Sequence, residues 1–485
     1  MTNKIQLITY VDRLGAKNLT EVKDLVDNQL KGLFGGVHIL PFYYPIDGED
    51  AGFDPINHQQ VDPRLGNWED LKSLSETVDI MADLIVNHVS AQSAEFKDYL
   101  QKGQASEYAP MFLSFDSVFP DGAKEADILA IYRPRPSLPF TNFKFGDGSN
   151  KLIWTTFTKN QIDIDVKHEI GQKYLEGILD VFEKGGVKMI RLDAAGYAVK
   201  KPGTSCFMIE ETFDFIDELS KKAKAKGIEI LVEIHSYYKT QIEIAKRTDY
   251  VYDFALPVLV LDTLFNKNAQ SLKKWLAVSP RNAITVLDTH DGIGIVDVGA
   301  ENGKPGLIED DVLDEIVETI HKNSNGNSLK ATGAAASNLD LYQVNCTYFD
   351  ALGRNEAAYL MARAIQFFVP GIPQVYYVGL FAGENDMELL EKTNVGRDIN
   401  RHYYSKEEIN AHLERPLIQA FKKLMIFRNN HPAFNGEFEL LETPKHILHI
   451  HWNNQNDKAQ LFIDLTSMQM NISFSENGEM SQLFV

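Results

Sequence analysis

Four short clusters of ionisable residues stand at the ends of apolar runs in this chain. They are Asn87-His88, Arg191-Leu192-Asp193, Glu233 with His235, and Asp288-Thr289-His290-Asp291. A carboxylate at the end of a buried strand is costly unless it is paired or hydrogen-bonded. Each residue alone has an ordinary explanation. An Asp after a strand is most often a helix N-cap, and a strand-end His is most often a satisfied structural residue. Acids, an Arg and histidines gathered at one place are suited to chemistry. Two chemistries compete. Three acids can hold a divalent metal opposite a Lys or His base. Against this, Arg191 lies two residues before Asp193, so both side chains leave a strand on one face and the guanidinium competes with a metal. The other chemistry is glycoside cleavage with retention. It needs an ionised carboxylate as nucleophile and a second carboxyl as acid, about 5–5.5 Å apart. Neighbouring strands lie about 4.8 Å apart, so the ends of the fourth and fifth runs suit that separation. Arg191 would keep Asp193 ionised, and Glu233, expected to lack a cation of its own, would serve as the acid.

Such residues need a scaffold that brings strand ends together. Eight apolar runs supply one: residues 5–10, 36–42, 80–88, 187–193, 228–235, 250–256, 283–291 and 373–379. Continuous apolar runs of this kind are strands buried on both faces. Between them, residues 20–33, 68–76, 169–184, 211–226 and 357–368 carry amphipathic helical spacing. The alternation predicts an α/β fold, a (β/α)8 TIM barrel. An open doubly wound sheet is the competitor, but no Gly-rich phosphate turn follows the first run.

Two spacings interrupt the alternation. Residues 88–167, rich in Pro and Phe (YRPRPSLPF), read as an inserted lobe after the third strand. Residues 293–353 read as a second lobe after the seventh, carrying one helical run, DDVLDEIVETIHK. The barrel then occupies residues 1–87, 168–292 and 354–433, and residues 434–485 alternate as a small C-terminal β domain. Both lobes leave the C-terminal ends of strands, where barrel enzymes build their sites.

The composition agrees with a folded enzyme: 485 residues, 44% hydrophobic and 24% charged. A net charge of −20 repels phosphate backbones and anionic lipid, so neither nucleic acid nor a membrane is an expected partner. Cys206 and Cys346 are the only cysteines, which excludes a disulfide framework and a zinc spacing. No stretch reaches about 18 apolar residues. The N-terminal MTNKIQLITY lacks the basic and apolar regions of a secretory signal, so the expected compartment is the cytoplasm.

The four clusters, extended as Asn87-His88, RLDAAGY, EIHSYY and DTHDGIG, resemble the signature blocks of glycoside hydrolase family 13, the α-amylase family, in order and on the right strands. Further blocks, AGFDPINHQQVDPRLGNW, YRPRPSLPF, PGTSCFM, AAASNLDLYQVN and NVGRDINRHYY, resemble the branch of that family that moves the glucosyl unit of sucrose to phosphate. The resemblance implies a barrel, two inserted lobes and a terminal β domain. It implies Asp193 as nucleophile, Glu233 as general acid/base and Asp291 as transition-state stabiliser. It implies that Asp50, His88, Arg191, His290 and Arg397 hold the glucosyl unit, and that Phe53, Phe157 and Tyr197 shape its apolar side. Asp340, Leu341, Tyr342 and Gln343 would line the acceptor side; Arg135, His235 and Tyr342 would meet phosphate. Ser137 departs from the pattern, standing where that resemblance leads one to expect Gly. No cofactor or metal is implied. The small-molecule partners are sucrose, inorganic phosphate, glucose 1-phosphate and fructose, and a homodimer stays open. The rivals are phosphorolysis of a related glucoside such as sucrose 6′-phosphate, and a family glucosidase or transglucosidase. The first wants an extra cation beside the acceptor, yet residues 334–345 contain no Lys or Arg. A non-catalytic transport subunit would have lost the acids that are present here.

Overall fold

The computed structural model describes every residue except 49–50, 135–136, 302, 335–342 and 477–478. Eight strands close into a parallel barrel: β1 (Gln6–Thr9), β2 (Gly36–Ile39), β3 (Asp79–Ile85), β4 (Val187–Asp193), β5 (Glu229–Val232), β6 (Tyr250–Asp253), β7 (Ala283–Thr285) and β8 (Ile372–Tyr376). Each pairs with its neighbour in sequence, and β1 closes on β8 through Gln6↔Gln374 and Leu7↔Val375. All eight apolar runs thus become barrel strands. Several are shorter than their runs, so the polar cluster 288–291 stands beyond β7.

Period two along these strands sorts the side chains. Leu7, Val37, Ile80, Leu84, Ile190, Leu192, Ile230 and Val251 are fully or nearly fully buried and join one large core with residues of the surrounding helices. The opposite faces point into the barrel. Met81, Met189, Leu231, Ile284 and Ile372 form a separate apolar cluster there. One step further along their strands stand buried Asp83 and Arg191, and one more brings β4 to Asp193. The barrel interior therefore passes from apolar to charged toward its mouth.

The helical spacing is met at Trp68–Ser75, Glu169–Lys184, Glu210–Ala225 and Glu356–Phe368. Residues 20–33 are an exception: the helix spans Leu19–Asp27 only. The backbone N–H and the side chain of Asn28 both donate to the Asp24 carbonyl, at 3.1 and 3.0 Å, and close the last turn. Leu30 and Leu33 still bury their side chains, so their apolar spacing reflects packing rather than helix.

Between β3 and β4, His88–Ser90 pairs antiparallel with Gln161–Asp163, and Phe140–Lys144 pairs with Asn150–Trp154. Phe96, Tyr99, Phe112 and Phe143 pack edge and face over these strands. Between β7 and β8, Ile293–Gly294 pairs with Gln343–Val344, and the helical run appears as Asp310–Asn323. After the barrel comes a five-stranded antiparallel meander: β9 (Glu437–Leu440), β10 (Ile447–Asn454), β11 (Asp457–Asp464), β12 (Gln469–Glu476) and β13 (Glu479–Leu483). It is tied to the barrel layer by the Trp452 indole, which donates to the Phe368 carbonyl at 2.7 Å. Among the described residues no helix is long and apolar enough to cross a membrane.

Candidate active site

β4 places Arg191 and Asp193 on one face, as their two-residue spacing requires. Arg191 Nη1 lies 2.6 Å from Asp83 Oδ1 and 2.9 Å from Asp193 Oδ1, and Nη2 lies 3.7 Å from Glu233 Oε1. One guanidinium thus touches both carboxylates of the proposed pair. Burial opposes its charge, but Asp83, Glu233 and Asp193 outweigh that and hold it protonated well above its ordinary range. Burial also pushes Asp83 up, and His38 and Arg191 overcome it, bringing the carboxyl down to about 2. His38 Nε2 faces Asp83 Oδ2 at 3.0 Å. This buried set fixes the guanidinium from below.

Glu233 corrects one expectation. It does not lack a cation: besides Arg191, His235 Nε2 stands 3.7 Å from Glu233 Oε1. The chain leaves β5 after Val232, so Glu233 and His235 lean over the barrel mouth, where the guanidinium reaches across. His235 in turn has its Nδ1 2.9 Å from Asp297 Oδ2 and its ring stacked on Phe254, centroids 3.9 Å apart. Burial pushes the imidazole down, but Asp297, Glu233 and Asp291 raise it to about 9, so it is a cation at neutral pH.

Asp291 lies on the far side of the mouth. Arg397 Nη1 is 2.9 Å from Asp291 Oδ1, and Arg401 Nη2 is 3.9 Å from it. Burial pushes this carboxyl up; the charged Arg397, Arg401 and Arg191 outweigh it and hold it far below the ordinary range. The next residue back behaves oppositely. Burial drives His290 down to about 3, so it is neutral. Its ring stacks on Phe53, centroids 5.2 Å apart and 9° from parallel. His88 Nε2 stands 3.0 Å from the Phe53 carbonyl, and the His88 ring meets Phe157 edge-on, as Phe157 meets Tyr197.

The three acids, Arg191, Arg397, Arg401 and the aromatic wall line one cavity of about 1180 Å³; Asp83, His38, Phe254 and Asp297 stand behind it. Of the residues singled out in the sequence, Asp193, Glu233, Asp291, Phe53, His88, Phe157, Arg191, Tyr197, His235, His290, Gln343 and Arg397 line it. Asp50, Arg135, Asp340, Leu341 and Tyr342 lie outside the described residues. Pro134, beside Arg135, is at the cavity wall. Donor atoms of Glu233, His235 and Asp291 lie within 4.8 Å of one another, a spacing that could hold a metal ion. The positive charge there is already supplied by Arg191, Arg397 and the His235 imidazolium, which opposes a further cation.

Sequence reasoning passed over several groups. Asp83 sits inside an apolar run, and its interruption of that run was the available signal. Arg401 lies four residues after Arg397 in a block that had been singled out. Asp297 follows the fourth cluster by six residues and carried no local signal at all. Tyr132 and Phe207 stack on each other at 4.6 Å at the cavity's apolar wall.

The profile described as "Alpha amylase, catalytic domain" matches residues 29–400. The chain belongs to the α-amylase family. Within it, the chain is 59% identical to a sucrose phosphorylase of Agrobacterium vitis, over 98% of each. It is 52% identical to a sucrose phosphorylase of Bifidobacterium adolescentis, over 95% of this chain and 92% of that one. The crystal structure of sucrose 6F-phosphate phosphorylase from Thermoanaerobacter thermosaccharolyticum superposes with a TM-score of 0.92 at 41% identity, covering 100% of this chain and 98% of that one. The matched span contains all four sequence blocks.

Proposed function

We propose that this enzyme catalyses the reversible phosphorolysis of sucrose, giving α-D-glucose 1-phosphate and D-fructose, with retention at the anomeric carbon. The observation that carries the reading is the charge layout of one cavity: two carboxylates on one guanidinium, with a protonated imidazole beside the second. Nearly full-length identity to sucrose phosphorylases supports the choice of substrate.

In the first step Asp193 attacks the anomeric carbon and the bond to the fructosyl oxygen breaks. Glu233 gives that oxygen its proton, and fructose leaves. Asp291, held ionised by Arg397, binds sugar hydroxyls and stabilises the oxocarbenium-like transition state. Phe53, stacked on His290, and Phe157 with Tyr197 form the apolar wall for the glucosyl ring. In the second step a phosphate oxygen attacks the glucosyl carbon, Asp193 departs, and any proton on that oxygen passes to Glu233. Arg135, His235 and Tyr342 meet the phosphate; Asp50, Asp340, Leu341 and Gln343 complete the sugar subsites. Cys206 and Cys346 are buried free thiols, which suits a reducing cytoplasm.

The test is incubation with sucrose, with and without phosphate, following glucose 1-phosphate and free glucose. Phosphate-dependent glucose 1-phosphate is the expected result. Phosphate-independent glucose alone would overturn the reading. A parallel arm with sucrose 6′-phosphate separates the nearest alternative, whose relative is the 6F-phosphate enzyme above.

A further inference from the structure

We propose that Asp297 is a positioning residue for the phosphate half-reaction, holding the His235 ring so that Nε2–H faces the acceptor side of the cavity as a fixed donor. The inference rests on the phosphorolysis reading above and extends it to a residue that lines no part of the cavity.

Asp297 sits on a short turn, Val296–Val298, and is 1% exposed. Its carboxylate is held at two points: Oδ2 faces His235 Nδ1 at 2.9 Å, and Oδ1 accepts from the Ser236 backbone N–H at 3.2 Å. With Nδ1–H committed to Asp297, the other ring nitrogen must point the opposite way. There it stands 3.7 Å from Glu233 Oε1, which can accept from it; Gln343 Nε2, 3.4 Å away, is itself a donor and gives Nε2–H no acceptor. Phe254 stacks on the ring and removes its freedom to rotate. The charged groups that face the ring are Asp297, Glu233 and Asp291, from three separate segments. Of these three, Asp297 alone lies within hydrogen-bond distance of the ring. The close approach depends on Gly294: a Cβ there would lie 2.7 Å from Asp297 Oδ2 and 3.3 Å from His235 Nδ1.

The consequence is a division between half-reactions. Formation of the glucosyl-enzyme needs Asp193 and Glu233. Capture of an anion by that intermediate also needs a cation at the acceptor side. A charge-assisted hydrogen bond contributes about 1.5–3 kcal/mol, roughly ten- to hundredfold in binding. Without Asp297 the ring loses the carboxylate that most favours its protonated form and the bond that fixes its orientation.

The experiment pairs Asp297→Asn with Gly294→Ala, which keeps both residues and crowds the carboxylate most, at 2.7 Å against 3.3 Å for the ring. Two quantities are read in each: the titration of the His235 ring by NMR, assigned through loss of its signal in His235→Gln, and the kinetics of both half-reactions. In the unsubstituted enzyme the ring is expected to titrate near 9. In both variants it is expected to titrate lower by at least about one pH unit, the size of shift a single close charge produces. The KM for phosphate should rise roughly tenfold or more. Its alkaline limb should move to lower pH. Glucosyl-enzyme formation from α-glucosyl fluoride should change much less. Asp297→Glu should recover part of the loss. An unchanged ring titration, or equal loss in both half-reactions, would overturn the inference. The NMR arm needs no turnover, so failure of the phosphorolysis reading would show separately, as absence of glucose 1-phosphate from the unsubstituted enzyme.

Discussion

Asp193 and Glu233 share the Arg191 guanidinium, so their chemical difference must come from what each does to the substrate. Asp193→Ala is expected to lower phosphorolysis by several orders of magnitude while the fold persists, because the covalent route closes; circular dichroism alongside turnover checks this. Glu233→Gln should separate two leaving groups. Fructose needs a proton, a contribution of roughly 10²–10⁴-fold, and fluoride does not. Single-turnover kinetics with sucrose and α-glucosyl fluoride should therefore show loss of the first and survival of the second. Equal loss of both would mean that Glu233 is not the acid. The acids themselves were legible in the sequence because a carboxylate at the end of an apolar run is unusual. Their supports were not. Asp297 reaches His235 across a segment of chain with no periodic relation to it, and only folding brings the two together.

At the scale of elements, the eight runs were legible because strands buried on both faces must be continuously apolar. The helical expectation failed in one of its five places. Leu30 and Leu33 extend a helical apolar pattern past Asn28, where side-chain bonding to Asp24 ends the helix. A burial pattern cannot show where the backbone turns. A buried ion pair links two elements: Arg363, on Glu356–Phe368, meets Asp288 at 2.6 Å beyond β7. A Cβ at Gly379 would lie 1.9 Å from Asp288 Oδ2 and 2.1 Å from Arg363 Nη2. Gly379→Ala should thus pull this pair apart, and breaking such a pair costs about 3–5 kcal/mol. Chemical denaturation should show a lowered midpoint, and an unchanged midpoint would mean that the pair contributes little.

Across the whole molecule, buried histidines tie stability to pH. Burial lowers His58 to about 4 and His290 to about 3, each from 6.5. A group with a lowered folded pKa contributes stability that is present above its unfolded pKa and lost as pH falls toward the folded one. The melting temperature should therefore fall from about pH 6.5 to about pH 4, with Asp253, which burial raises to about 6, offsetting part of the fall, one carboxyl against two rings. A flat profile over that range would contradict the burial of these rings. The barrel mouth holds Arg191, Arg397 and Arg401 in ion pairs with Asp83, Asp193 and Asp291, inside a chain of net charge −20. That contrast is invisible in composition, which reports the surface sum and not where Arg191, Arg397 and Arg401 converge. The most direct measurement of the account is trapping. Glu233→Gln is incubated with α-glucosyl fluoride without phosphate, digested and weighed by mass spectrometry. The expected result is one glucosyl unit on the peptide that contains Asp193, discharged by phosphate as α-glucose 1-phosphate. No adduct, an adduct elsewhere, or discharge as the β-anomer would contradict it.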